Sequence, residues 1–242
     1  MEQQISDKIY LNKSYKIDKQ FLVCLDDIFA KYDSNVQVKV VASCNNTTYR
    51  FSTITELLEE SPKLSEKIEE LCITAHFPIA KGYSYNEICA TFSNSTELLP
   101  SADKITFDFS DPNAYLVLKN QIETLLKNYK LGYSLIARTP LLAILSTSTF
   151  WYVYGYTNTR NIVYPKDVQT LIWLGWFLCL ALSAYSPIRK LKRFLYPRNE
   201  LHIGVNINAY ESAKLWRNII HVGVILSFVV GLAVNIVSDY LL

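Results

Sequence analysis

Histidine, glycine and methionine are scarce in this chain: its 242 residues include three histidines, seven glycines and one methionine. The histidines, His76, His202 and His221, are widely separated. Cys72 stands four positions before His76, but on a strand the two would sit about 13 Å apart, too far to share one ion. No metal site is expected. The glycines never cluster, which excludes a phosphate-cradling loop, and no nucleophile elbow occurs. The acidic run Glu56, Glu59, Glu60, Glu66, Glu69 and Glu70 reads as a solvated helix face. These absences point away from an enzyme, and nothing calls for a cofactor.

Two further absences concern the environment. The opening stretch MEQQISDKIYLNKSYKIDKQ is polar and mixed in charge, without the apolar segment and small-residue cleavage site of a secretory signal. Five cysteines are present, but their irregular spacing gives neither a disulfide framework nor a zinc pattern. Small buried hydrophobes in a reducing compartment are the simplest reading of them. Charged residues make up only 19% of the chain, against roughly 25% in a soluble domain.

What charge there is divides unevenly. Residues 1–131 carry 14 Lys/Arg against 18 Asp/Glu, and residues 132–242 carry 10 against 4, so balances of −4 and +6 give the net +2. Such asymmetry points to two environments. In the second part, VQTLIWLGWFLCLALSAY (168–185) has no charged residue, and NIIHVGVILSFVVGLAVNIVS (218–238) has no Asp, Glu, Lys or Arg. At 1.5 Å per residue these runs cover about 27 and 32 Å, near the ~30 Å of a hydrocarbon core. A third, TPLLAILSTSTFWYVYGYTNT (139–159), is uncharged and ends in an aromatic cluster suited to an interface. The expectation is three membrane spans.

Between the last two runs lies SPIRKLKRFLYPRNE, with Arg189, Lys190, Lys192, Arg193 and Arg198. Positive charge beside a span favours the cytoplasmic side, and such a cluster can also bind anionic lipid head groups. Aromatics and cations are not interleaved over a wide face, so no nucleic-acid role is expected. The reading is then an inner (plasma) membrane protein with residues 1–131 and a basic loop at 186–217 cytoplasmic, and the carboxy terminus external. The bilayer is the implied partner.

Small residues recur every four positions at Gly175, Cys179 and Ser183, and again at Gly223, Ser227 and Gly231, with Asn235 one step further. Residues four apart share a helix face, and small ones let another backbone approach closely. They predict helix packing within the chain or in a homo-oligomer. Gly132, in YKLGY, is the one flexible residue of the joint between the two parts and is read as a hinge.

Residues 1–131 alternate in several places. KIYLNKSYKI reads as a strand or hairpin, VQVKVVAS and TYRFSTI as a hairpin, and ELCITAHF, YNEICATFS and KITFDFS as half-buried strands. Asp18 caps an amphipathic helix to Tyr32, Thr53 or Thr55 a short helix, and Asp111-Pro112 opens a helix over 113–130. The fold class expected is α+β: a mainly antiparallel sheet with two main helices, followed by a three-helix transmembrane region. ELHIGVNINAYESAKLW (200–216) alternates like a strand that could hairpin or join an edge of that sheet.

Functionally, the sequence suggests a non-enzymatic protein. A cytoplasmic domain would sense a small-molecule ligand or a cytosolic protein and pass that state to an oligomerising helix unit. One version is a bacterial defence effector that perturbs the membrane, by architectural analogy. A membrane-tethered adaptor and an enzyme with an unrecognised site are the alternatives.

Overall fold

The computed structural model describes residues 4–45, 47–78, 85–94, 103–138, 141–159 and 165–241. Strand alternation builds the first half as expected. The strands are β1 (Ile5–Tyr10), β2 (Lys16–Asp18), β3 (Gln37–Cys44), β4 (Thr48–Phe51), β5 (Ile68–Pro78), β6 (Tyr85–Ser93) and β7 (Lys104–Phe109). Six of them form one antiparallel sheet in the order β1-β7-β6-β5-β3-β4. Of the two readings of KIYLNKSYKI, strand or hairpin, the hairpin does not form. Instead β1 crosses to pair with β7, Ile5 opposite Phe109, and β2 leaves the sheet altogether.

Three helices cover one face. In α1 (Lys19–Tyr32) the Asp18 carboxylate accepts from the Phe21 amide at 2.9 Å, satisfying one of the unpaired amides of the first turn. In α2 (Ile54–Glu60) Thr53 Oγ1 accepts from Glu56 N, while the Glu56 carboxylate reaches back to the Ser52 amide. Asp111 caps α3 (Pro112–Asn128). Phe21, Leu25 and Phe29 of α1, Leu57 of α2, and Leu118 and Ile122 of α3 meet the alternate strand residues Val40, Leu71, Ile73, Phe92 and Phe107 in one core. The opposite face, with Cys72, Thr74, His76 and Cys89, is half-exposed.

The second half is helical: α4 (Ser134–Arg138), α5 (Leu141–Thr159), α6 (Lys166–Ala184), α7 (Ser186–Leu195) and α8 (Asn206–Leu241). Among the described residues, however, no helix is long and apolar enough to cross a membrane. The expected three-span transmembrane region is therefore corrected, and with it the inner-membrane localisation, the external carboxy terminus and the lipid-anchored orientation built on it. The physical reason is that an uncharged run is not the same as an apolar one. α5 carries four successive hydroxyls, Ser146 to Thr149, and finishes on Asn158 and Thr159. α6 opens on Lys166, Asp167 and Gln169. α8 bears Glu211, Lys214 and Arg217 first, and then Asn218, His221 and Ser227 within the uncharged run itself. Polar groups without charge still resist transfer out of water.

The basic segment is a helix, not a loop, and the strand expected over 200–216 is short. β8 (Glu200–His202) pairs in parallel with β2, Ile17 opposite Leu201. It joins neither a hairpin nor an edge of the large sheet. Gly204 ends it: at φ +55 the chain turns left-handed, and α8 starts two residues later.

Candidate functional site: the junction between sheet and helices

The feature that places charged and polar side chains together is the crossing where β2 and β8 meet. Leu201 and Ile203 are buried in the same core as α1 and the sheet, so residues beyond 195 complete a core begun at residue 11. Around that apolar centre runs a polar network. Asn199, fully buried, accepts from the Tyr15 amide through Oδ1 and donates through Nδ2 to the Ser93 carbonyl and to Asp103 Oδ1. Asp103 also accepts from the Ser93 amide at 2.6 Å. Arg198 Nε lies 2.9 Å from Asp103 Oδ2, a charge contact without an aligned hydrogen bond.

Glu200 anchors the second half of the network. Its Oε1 accepts from Arg217 Nη2 at 2.8 Å and from Tyr133 OH at 2.7 Å, and its Oε2 lies 2.9 Å from His202 Nε2. Arg217 also donates to the Leu195 carbonyl and lies over the Tyr133 ring. Burial raises the Glu200 carboxyl, but the bonds from His202 and Tyr133 and the Arg217 charge outweigh it, holding the group below the usual carboxylate range. Burial, then the neighbouring Glu200 charge, pushes the Tyr133 phenol up. Tyr133 therefore stays a donor to the Glu200 carboxylate, which Arg217 pairs from the other side.

A backbone clasp reinforces it. The Asn206 side chain accepts from the Ile68 amide at 3.1 Å and donates to the Ile68 carbonyl at 2.9 Å, replacing a strand partner at the start of β5. A Cβ at Gly204 would stand 2.3 Å from the Ser61 carbonyl oxygen, so this crossing admits only glycine.

The residues singled out in the sequence fall as follows. Gly132 is exposed with nothing within 4 Å of a would-be Cβ, but its neighbours are clamped. Lys16 N donates to Tyr129 O, Leu131 N to Ser14 O, and Ser14 N to Ser134 Oγ. The joint would therefore move with the β2 segment as a unit. Of the cations, Arg189, Lys190, Lys192 and Arg193 sit on α7, whereas Arg198 lies beyond it. Arg193 pairs with Glu69 at 3.1 Å and Arg198 with Asp103, so two of these charges face the sheet domain. Burial lowers the Lys192 ammonium. Gly175, Gly223 and Gly231 have nothing within 4 Å of a built Cβ, Cys179 is exposed, and Ser227 back-bonds to the Gly223 carbonyl at 2.8 Å. The side chains of Ser183 and Asn235 lie outside those described. Sequence reasoning missed Asn199, Glu200 and Arg217. Only their polar character in an otherwise alternating segment could have marked them.

Beyond the junction the helices carry large apolar side chains outward. α5 and α6 pack through Phe150, which meets Trp173 at 4.6 Å and Trp176 at 4.9 Å between ring centres. Trp151, Leu171, Leu174 and Phe177 on that hairpin, and Leu215, Val222 and Leu226 on α8, are each more than half exposed. Among the described residues no group of three or more His, Cys, Asp and Glu could hold a metal ion. No protein-family model matches the chain, and no curated protein or solved structure matches it significantly.

Proposed function

We propose that the protein is a non-enzymatic assembly module. Its sheet domain engages a partner or ligand, the Glu200–Arg217 junction ties that domain to the helices, and the helices associate with those of a second copy. The carrying observation is the outward display of large apolar side chains along α5, α6 and α8, beside glycines open to close approach. Monomeric proteins rarely expose contiguous apolar patches larger than a few hundred Å², and small residues let helix backbones meet.

Crosslinking followed by light scattering on the full-length chain tests the proposal. The wild type is expected to form a discrete oligomer, and Val222→Glu or Leu174→Glu to reduce it to monomer. Neither side chain is in the core, so both variants should keep the wild-type circular dichroism. A monodisperse wild-type monomer overturns the proposal, as does recovery of the chain solely with the lipid fraction.

A further inference from the structure

The face of the large sheet opposite α1, α2 and α3 carries two thiols in contact. Cys72 on β5 and Cys89 on β6 are not directly opposed: Cys72 faces Thr91 and Cys89 faces Thr74. The sulfurs nevertheless approach along the diagonal to 3.4 Å. Both are half-buried, so reagents in solvent can reach them. Thr91 Oγ1 donates to Cys72 Sγ at 3.9 Å, and Thr74 Oγ1 lies 4.0 Å from the same sulfur. The His76–Glu87 pair, at 3.5 Å, sits one step further along the same face. Two thiols flanked by hydroxyls suit sulfur chemistry more than metal binding, since among the described residues no group of three or more His, Cys, Asp and Glu could hold a metal ion.

We propose that Cys72 and Cys89 form a modification site oxidised reversibly by hydroperoxides, with Cys89 as the reacting thiol and Cys72 as the resolving one. The Cys89 thiolate attacks one peroxide oxygen and the O–O bond breaks. The departing oxygen takes a proton and leaves as alcohol or water, while Cys89 becomes a sulfenic acid. Cys72 then loses its proton, and its sulfur attacks the Cys89 sulfur. The S–O bond breaks and hydroxide takes that proton to leave as water. Two thiols have lost two electrons and the peroxide has gained them.

The roles follow from the environment. The contact between the two sulfurs, against the effect of burial and with help from the two threonines, lowers the Cys89 thiol. The same contact and burial raise Cys72. A depressed thiol with a resolving neighbour is the arrangement that peroxide senses best. The diagonal placement also sets reversibility. Diagonal Cα atoms lie about 7–8 Å apart, beyond the roughly 4.4–6.8 Å of relaxed disulfides, so closure draws β5 and β6 together locally. The bond that closes is strained and readily reduced.

The test uses the reduced full-length chain and equimolar hydrogen peroxide, read by intact mass and by peptide mapping after maleimide blocking. The expected product has lost two hydrogen atoms, yields a Cys72–Cys89 linked peptide, and reverts with dithiothreitol. Cys72→Ser should stop at a dimedone-trapped sulfenic acid on Cys89, and Cys89→Ser should slow oxidation at Cys72 about tenfold or more. Absence of the linked peptide from the wild type overturns the proposal, whether or not the variants fold. Equal oxidation rates in two folded variants overturn the assigned roles.

Discussion

Replacing Arg217 with alanine would leave the Glu200 carboxylate, in a residue only 4% exposed, without its guanidinium. Removing one partner of a buried pair costs about 3–5 kcal/mol, because the other charge stays desolvated. Urea unfolding of Arg217→Ala should show a loss of that size. Arg217→Lys should recover only part of it, since one ammonium cannot reproduce the fork that reaches both Glu200 and the Leu195 carbonyl. The same residues set a pH dependence. Glu200 titrates below its ordinary 4.5 in the folded chain, so the stability it contributes is present above that value and is lost as pH falls through the folded one. Stability measured from about pH 5 downward should fall, and Glu200→Gln should flatten that acid limb.

The short strand β8 ends where Gly204 turns the backbone against Ser61. Gly204→Ala combines a steric overlap with a left-handed φ, and should lower the thermal midpoint by an amount matching at least about 1 kcal/mol. The same substitution at exposed Gly132, where nothing lies within 4 Å, should leave the midpoint unchanged or raise it slightly. At this scale the sequence was legible where signals are local. Alternation marked β3, β5, β6 and β7, and the capping side chains of Asp18 and Asp111 marked two helix starts; for the third, Thr53 and Thr55 both fit the sequence, and the structure places the cap at Thr53. It was illegible where pairing is distant. Nothing near KIYLNKSYKI says that β1 joins β7 while β2 waits for β8. Alternation through Leu201, Ile203, Val205 and Ile207 likewise suggests a long strand, but Gly204 converts its second half into the start of α8. The junction itself was hidden because Asn199, Glu200 and Arg217 find partners by tertiary contact, not by spacing.

In the whole molecule, the acidic first part and the basic second part are joined by a shared core. Leu201, Ile203 and Tyr210 are buried with α1, α3 and the sheet. A chain ending at residue 131 lacks all three, along with β8, Asn199 and Asn206. Losing a buried Leu or Ile costs about 2–5 kcal/mol each, comparable with the roughly 5–15 kcal/mol that holds a whole domain together. Such a fragment should show no cooperative melting transition by circular dichroism. A chain ending at 217, which keeps Arg217, should melt cooperatively. Charge bookkeeping over the two parts exposed their contrast, whereas lack of charge alone overstated how apolar the hydroxyl-bearing runs are.

The Tyr15 amide finds its acceptor in Asn199, 184 residues downstream. On a ribosome adding about 5–20 residues per second, that acceptor is made roughly ten to forty seconds after Tyr15. For that interval the nascent chain must carry Ile17 and Phe21 with part of their cover still unmade. Chaperones that hold the nascent chain, or a slow release from the exit tunnel, would then decide how much of each synthesis run reaches the native state.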